Sequence, residues 1–233
     1  MTWGMMRSPD QAAREVERDG FAFREAVLDE PQQRSLLACL GSATGAGRRG
    51  MLTLPEVNAL ARSEALMALV KPFLKGHALP VRGIFFDKSA EANWLVAWHQ
   101  DLTLAVRARC EVPGFGPWSV KEGVPHVQPP AEWLQQMITV RLHLDDADES
   151  NGALRVLPGS HAQGRLSPEG IGEWRERVPE VTCVVRAGGA LLMRPLLLHA
   201  SGRSVSGRHR RVLHLEYAGF DLPAGLEWHE GLP

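Results

Sequence analysis

Residues 95–104 read LVAWHQDLTL, an apolar run that is interrupted by a histidine and an aspartate. In an extended strand successive side chains alternate between two faces, so His99 and Asp101 point one way while Gln100 points the other way. Two polar groups on a face that otherwise carries core residues need partners, because burying them unpaired costs free energy. The two side chains either hydrogen-bond each other or share a metal ion.

The sequence on either side of this run changes in character near residue 79. Residues from about 1 to 78 carry apolar side chains at helical spacing, with prolines and capping residues near the predicted helix starts. Residues from about 79 to 220 form short apolar or alternating runs bounded by Gly, Pro, Asp and Asn, a pattern typical of strands. Together they predict an α+β, mainly β, fold: a β-sandwich or barrel buttressed by N-terminal helices. No repeat is seen, and one domain is expected over 1–233.

Three segments are predicted individually. The first helix is expected to begin at Ser8–Pro9, and residues 41–50 (GSATGAGRRG) are expected to form a glycine-rich loop. Residues 109–134 are expected to form a long irregular segment, and loops of that length inside a compact domain are usually functional. One hypothesis is that this segment is a lid that determines the substrate. The alternative is that it packs over the sheet, with Trp118 as an apolar plug.

Composition and charge limit the possible functions. The 26 Lys and Arg against 27 Asp and Glu give a formal net charge of −1, so a basic footprint for nucleic acid is absent. No run approaches the roughly 18 apolar residues of a membrane span, and the N-terminus shows no signal-peptide core. The three cysteines are far apart and odd in number, which indicates neither a disulfide framework nor a zinc site. These features predict a soluble, cytoplasmic globular protein without nucleic-acid or membrane partners.

A second histidine and an arginine extend the polar pattern of residues 95–104. The segment PLLLHASG places His199 at the end of another apolar strand, and two imidazoles with one carboxylate suit non-haem Fe(II). Eleven residues later Arg210 opens the strand RRVLHLEY, and Arg211 takes the opposite face. Beside a metal, an arginine can hold a carboxylate through two hydrogen bonds. The competing interpretations are a chance HxD pair and a solvated basic turn at RHRR.

Four motifs in one consistent order carry a resemblance to a known family. WHQDLT, DESNGALRVLPGSH, LLLHASG and the arginine eleven residues after the last histidine resemble the phytanoyl-CoA dioxygenase family of Fe(II)/2-oxoglutarate oxygenases. The resemblance runs from about residue 80 to 218. It implies a double-stranded β-helix, the jelly-roll arrangement of two facing sheets. It also implies Fe(II), 2-oxoglutarate as cosubstrate and O2, with hydroxylation of a C–H bond and release of succinate and CO2.

The family's roles can be carried over to matching positions of this sequence. By resemblance, His99, Asp101 and His199 are the iron ligands. Arg210 binds the distal carboxylate of 2-oxoglutarate, and Ser201 in the segment HAS hydrogen-bonds the same group. Halogenating relatives replace the ligand carboxylate by a small residue, so the aspartate here implies hydroxylation, or a related desaturation, rather than halogenation.

Further candidate residues surround this set. The family often contacts the cosubstrate from a position near Arg141, and His143 shares a strand face with that arginine, directed either into the barrel or toward water. Trp118 and His126 in the 109–134 segment are candidate substrate contacts. The expected substrate is a small metabolite, such as an amino-acid derivative, rather than an acyl-CoA. The alternative functions are a cupin-like metalloenzyme and a metal-binding sensor, neither of which uses 2-oxoglutarate.

Overall fold

A computed structural model of the chain describes residues 9–42 and 47–231. Ser8, the predicted start of the first helix, lies outside the described residues, and so do residues 43–46 of the predicted glycine-rich loop. None of the described helices is both long enough and apolar enough to cross a membrane.

The order of elements follows the predicted change from helices to strands. Within the described residues the α-helices are α1 (Pro9–Asp19), α2 (Glu30–Leu40), α3 (Pro55–Ala61), α4 (Glu64–Val70), α5 (Ala131–Leu134) and α6 (Pro168–Arg177). The strands are β1 (Phe21–Arg24), β2 (Arg48–Arg49), β3 (Leu79–Lys88), β4 (Val96–His99), β5 (Leu104–Ala105), β6 (Trp118–Lys121), β7 (Val124–Val127), β8 (Met137–His143), β9 (Leu154–Val156), β10 (Val181–Thr182), β11 (Ala190–Met193), β12 (His199–Ser201) and β13 (Arg210–Ala218).

Antiparallel pairing arranges most of these strands into two sheets. The major sheet has the order β1-β11-β8-β13-β3-β2, and the minor sheet has the order β10-β9-β12-β4. Nζ of Lys88 in the major sheet lies 2.8 Å from Oγ of Ser201 in the minor sheet, so the two sheets face each other across a common interior. This is the double-stranded β-helix that the sequence predicts, and the predicted fold class is confirmed.

The outer face of the major sheet is apolar and covered by the N-terminal helices. Leu213, Leu215 and Tyr217 alternate along β13 and are fully buried in one cluster with residues of α1 to α4. The hydroxyl of Tyr217 donates a hydrogen bond of 2.9 Å to the carbonyl of Ala61 at the end of α3. The helices therefore buttress the sheet through apolar packing and one buried polar contact.

The inner face of the same strands is polar. Arg210, His214 and Glu216 alternate with the apolar residues of β13, and all three are buried. On β8, which pairs with β13, Arg141 lies directly opposite His214, and His143 is buried on the same face. Because buried polar groups need partners, this face marks the region of the molecule in which a ligand site is expected.

Residues 109–134 do not form the long irregular segment that the sequence predicts. They contain a hairpin of β6 and β7, which forms a third sheet with β5, and the short helix α5. The two turn residues, Glu122 and Gly123, both have positive φ angles, of 52° and 81°, as a two-residue type I′ turn requires. The hairpin is missed because Glu-Gly is a weaker turn signal than Asn-Gly or Asp-Gly.

Replacing Tyr217 by phenylalanine tests how much the buried hydroxyl contributes to helix docking. The substitution removes the donor to Ala61 and keeps the ring, so we expect the free energy of unfolding in urea to fall by about 1 kcal/mol. Val205→Ala, at a side chain that is 85% exposed, is the control and should change this value by less than about 0.5 kcal/mol. An unchanged free energy for Tyr217→Phe would mean that apolar packing alone holds the helices.

Candidate metal centre

Strand pairing brings the three predicted metal ligands together. In the register of β12 against β4, His199 lies directly opposite His99. Asp101 follows β4 by two residues, and one ligand atom from each of the three side chains lies within 4.8 Å of the others. No other trio of His, Cys, Asp or Glu in the described part of the chain is gathered so closely.

The distances between these atoms show whether His99 and Asp101 hydrogen-bond each other or share a metal ion. Oδ1 of Asp101 lies 3.9 Å from Nε2 of His99, and Oδ2 lies 3.7 Å from Nε2 of His199. Both distances exceed the usual hydrogen-bond range of about 2.7 to 3.2 Å. The three side chains therefore converge without hydrogen-bonding one another, which favours a shared ion over a self-contained polar pair.

Backbone carbonyls orient both imidazole rings. Nδ1 of His99 lies 2.9 Å from the carbonyl oxygen of Ala97, and Nδ1 of His199 lies 2.8 Å from that of Leu197. A carbonyl oxygen only accepts hydrogen bonds, so each Nδ1 carries the proton and each Nε2 keeps its lone pair. Metal-binding histidines are commonly oriented by their second ring nitrogen in this way. The donor set fits a divalent metal ion.

Burial and charge set the protonation states of this group. Burial lowers the pKa of His199 to about 4, although the charge of Asp101 opposes the shift. Burial raises the pKa of Asp101, but the neighbouring His199, His214 and His99 outweigh it, and the pKa falls to about 2. At neutral pH this imidazole is therefore neutral and the carboxylate is ionised, as metal binding requires.

Gln100 turns away from the three ligands, as the strand alternation predicts. It is buried, and its amide nitrogen donates to the carbonyl oxygens of Gly164 and Leu196 at 2.8 and 2.7 Å. Its carbonyl oxygen accepts a hydrogen bond of 2.9 Å from the backbone N–H of Leu166. These three bonds fix the backbone between the histidine and the aspartate, and so fix where both side chains point.

Arg210 points into the space between the sheets, whereas Arg211 points outward. Arg211 forms a two-bond ion pair with Asp145, from Nε and Nη2 at 2.8 and 2.7 Å. Arg210 is 3% exposed, its Nη2 lies 3.4 Å from Oγ of Ser201, and its Nε and Nη1 have no hydrogen-bond partner among the described residues. A buried guanidinium with unused donors fits an anionic ligand and does not fit a solvated basic turn.

Arg141 and His143 face the interior and not water. Nη1 of Arg141 lies 2.8 Å from Nδ1 of His214, whose Nε2 lies 3.3 Å from Oε1 of Glu216. Nη1 of Arg82 lies 3.2 Å from the same carboxylate oxygen. Both ring nitrogens of His143 lack a hydrogen-bond partner within the described chain. The inner face of the major sheet therefore carries a connected polar row with open donors beside the metal centre.

Trp118 and His126 lie in the third sheet, in two different environments. Trp118 packs against an apolar cluster, and the guanidinium carbon of Arg109 lies 5.6 Å from its ring centre, as expected if the indole fills a packing site. His126 is fully buried with Nδ1 2.9 Å from the carbonyl oxygen of Val124, and burial lowers its pKa to about 4. Its Nε2 has no partner in the described structure, and the residue lines a cavity of about 180 Å³.

Lys88, His214 and Glu216 belong to the same interior but are not predicted from the sequence. Lys88 ends β3 and is completely buried. In the strand RRVLHLEY, alternation places His214 and Glu216 on the same face as Arg210. This pattern could have identified both residues from the sequence. For the lysine no such signal exists, because a charged residue at a strand end is normally exposed.

The fold and the gathered side chains define a jelly-roll protein with a two-histidine, one-carboxylate centre. SnoK, a non-heme alpha ketoglutarate dependent carbocyclase from nogalamycin biosynthesis, superposes with a TM-score of 0.72 at 16% identity, covering 99% of this chain and 97% of its own. EctD from S. alaskensis, solved with 2-oxoglutarate and 5-hydroxyectoine, superposes with a TM-score of 0.68 at 17% identity. The superposition covers 94% of this chain and 78% of EctD. At these identities the likeness establishes the fold.

A family model described as phytanoyl-CoA dioxygenase (PhyH) matches residues 16–212, and the chain therefore belongs to this family. The peroxisomal phytanoyl-CoA dioxygenase of Rattus norvegicus is 30% identical over 92 residues, which cover 34% of this chain and 27% of the rat protein. The match thus spans about a quarter of that relative's length. L-proline trans-4-hydroxylase of Streptomyces griseoviridis is 27% identical over 220 residues, covering 83% of this chain and 70% of that protein.

Asp101→Ala tests whether the gathered side chains hold a metal ion. Removing the one charged ligand should weaken Mn(II) binding, measured by titration calorimetry, by more than about 100-fold. Even the loss of a group that only hydrogen-bonds to a metal ligand typically lowers metal affinity by about 10- to 100-fold. Asp145→Ala, which removes a carboxylate paired with Arg211, is the control and should bind the metal like the wild type. Wild-type affinity in Asp101→Ala would place the metal elsewhere.

Proposed function

We propose that the protein is an Fe(II)- and 2-oxoglutarate-dependent dioxygenase that hydroxylates a C–H bond of a small molecule, with release of succinate and CO2. The observation that supports this most is the combination of two features in one interior. His99, Asp101 and His199 offer a metal-binding donor set, and Arg210 offers buried donors without a partner among the described residues. The first feature suits a metal and the second suits a carboxylate that reaches toward it.

In this proposal His99 and His199 bind iron through Nε2, and Asp101 binds it through its carboxylate. These three side chains would hold the metal and would leave it free to bind a cosubstrate as well. Fe(II) bound there supplies, with O2 and 2-oxoglutarate, the oxidising power to attack an unactivated C–H bond. The carboxylate of Asp101 fills the position that halogenating enzymes leave open, which supports hydroxylation or a related desaturation.

The distal carboxylate of 2-oxoglutarate is assigned to Arg210 and Ser201. Ser201 lies two residues beyond His199 on the same strand and therefore on the same face, about 6.5 Å along the strand. A five-carbon diacid held at the serine can span this distance and place its oxo-acid end at the iron ligands. The serine hydroxyl, now 2.8 Å from the carbonyl oxygen of Gly152, can rotate to donate to the carboxylate.

The proposed substrate is a small polar molecule and not an acyl-CoA. The cavity of about 180 Å³ beside His126 is lined by residues of both charges, including Arg49, Arg82, Glu122 and Glu230. The charge of one lining residue, Arg82, contributes to the low pKa of the Asp101 carboxyl, and we assign the cavity to the substrate. Its volume is below the roughly 300 to 1,000 Å³ of drug-sized ligand pockets. The relative named L-proline trans-4-hydroxylase supports an amino-acid-like substrate.

A single catalytic domain and a cytoplasmic location complete the proposal. Strands from residue 21 to residue 218 contribute to the two facing sheets, which supports one domain over residues 1–233. Cys39, Cys110 and Cys183 are all unpaired, as is usual for proteins of a reducing compartment.

Arg210→Met tests the use of 2-oxoglutarate. Anaerobic addition of Fe(II) and then 2-oxoglutarate to the wild type should give the weak visible absorption band of an iron-bound 2-oxo acid. The variant should lose this band at concentrations that saturate the wild type, because a buried carboxylate would lose its charge partner. Its affinity for Fe(II) should be unchanged.

Arg211→Met, at the adjacent outward-pointing arginine, is the control and should keep the band. Metal binding by the wild type without a band would favour a cupin-like enzyme or a sensor that does not use 2-oxoglutarate.

Succinate release under air tests the substrate class. L-Proline and other free L-amino acids, supplied with Fe(II) and 2-oxoglutarate, should include at least one compound that raises succinate release above the substrate-free rate. Phytanoyl-CoA should not raise it, because the cavity is small and carries both charges. Preferential stimulation by the acyl-CoA would refute the proposed substrate class, and Arg210→Met should release no succinate with any compound.

A further inference from the structure

We propose that the substrate is a zwitterionic α-amino acid and that the cavity beside His126 recognises both of its charged groups. His126 and Glu230 accept hydrogen bonds from the ammonium group, and Arg82 holds the carboxylate; all three residues line this cavity. The inference rests on the proposed function, and it assigns the charge state of the substrate and the residues that contact it. It also makes the ammonium group the feature on which selectivity depends.

His126 offers a hydrogen-bond acceptor that the described residues leave unused. Its Nδ1 lies 2.9 Å from the carbonyl oxygen of Val124, so Nδ1 carries the proton and Nε2 keeps a lone pair. Burial lowers the pKa of the ring to about 4, which keeps it neutral at neutral pH. Nε2 has no partner among the described residues, and leaving a buried acceptor unpaired costs free energy. A ligand that satisfies this atom must present an N–H or O–H donor and not a carboxylate.

Glu230 adds a negative charge to the wall of the same cavity. It is buried, and its Oε2 accepts the backbone N–H groups of Leu52 and Gly83 at 3.0 and 3.3 Å. Both bonds fall on one oxygen, so they fix the carboxylate in place and leave Oε1 for a ligand. Burial raises the pKa of Glu230, although the two backbone bonds and Arg82 oppose the shift. A cationic ligand group would stabilise the ionised form, and an ammonium has enough donors for both Glu230 and His126.

Arg82 supplies the opposite charge. Among the described residues its ion pair is with Glu216, at 3.2 Å from Nη1, and not with Glu230. This pair uses one of the five N–H donors of the guanidinium group. Gly83, which binds Glu230, is the next residue along β3, so the cation and the anion lie on neighbouring parts of the cavity wall. An α-amino acid carries its two charges on neighbouring atoms, and it therefore matches this wall better than a ligand with one charge.

The chain itself limits how far the cavity can lie from the metal centre. Ala105 lines the cavity and is the register partner of His126 in the pairing of β5 with β7. It follows Asp101 by four residues, and four residues of fully extended chain span at most about 14 Å. One wall of the cavity is therefore tied closely to a metal ligand. A substrate anchored there by its α-carbon substituents can direct its side chain toward the metal.

Matched ligands test whether the ammonium group is recognised. The common L-amino acids are screened first, and each one that binds is compared with the carboxylic acid that lacks its amino group, such as cyclopentanecarboxylate for L-proline. Affinities are measured by titration calorimetry, without air, on protein loaded with Mn(II) and 2-oxoglutarate. The wild type should bind at least one amino acid about 100-fold more tightly than the matching acid, because two charge-assisted hydrogen bonds are lost with the amino group.

Conservative variants separate recognition of the ammonium group from a role in folding. Glu230→Gln removes the charge and keeps an oxygen that can accept both backbone N–H groups. It should weaken binding of the amino acid by at least about tenfold and should not weaken binding of the matching acid. His126→Phe should show the same selective loss, whereas His126→Gln, which can present an oxygen acceptor, should retain more of the preference.

Glu227→Gln is the control for these variants. Glu227 lies three residues before Glu230, and its exposed carboxylate pairs with Arg107. The substitution should leave both affinities at the wild-type level. Thermal unfolding, and the visible band formed with Fe(II) and 2-oxoglutarate, show for each variant whether the protein is folded and its cosubstrate site intact.

The possible failures can be told apart. If Glu230→Gln and His126→Phe bind the amino acid like the wild type, or lose it and the matching acid to the same extent, the two residues have only a structural role and the inference fails. It also fails if the wild type binds no amino acid, or binds the matching acid equally well. In each of these cases the proposed function survives if the visible band forms. If the wild type binds Fe(II) but gives no band, the proposed function fails and the inference fails with it.

Discussion

The antiparallel pairing of β12 with β4 is the constraint on which the site depends. It sets His199 opposite His99 and places Ser201 further along the same face. A register shift of one residue would turn every side chain of a strand to the opposite face, so it would remove both a metal ligand and a carboxylate contact. The carbonyls behind each Nδ1 and the three hydrogen bonds of Gln100 hold this arrangement.

The two faces of the major sheet have different roles, one in the stability of the fold and the other in the candidate site. The outer face of β13 is apolar and buries Leu213, Leu215 and Tyr217 against the helices. The inner face carries Arg210, His214 and other polar groups that cost free energy to bury. The apolar packing on one side offsets that cost, so the interior can keep open donors for a ligand. This division explains why the helices are needed although none of the gathered side chains lies on them.

Much of this arrangement could be predicted from the sequence, because strand periodicity is local. The alternation in LVAWHQDLTL separates Gln100 from its neighbours, and the alternation in RRVLHLEY separates Arg210 from Arg211; the structure shows both. The helices, the jelly roll and the family were also predicted correctly. The hairpin inside 109–134 was missed, since its turn residues gave only a weak signal.

The sequence by itself determined which face each strand residue occupies, since successive side chains must alternate. It could not determine which faces meet. Lys88 and Ser201 are 113 residues apart along the chain, and they meet only because β3 and β12 belong to sheets that face each other. The same holds for the environment of His126, which depends on how the third sheet packs. Contacts between sheets arise from the packing of distant segments, and no local pattern of residues encodes the partner of such a contact.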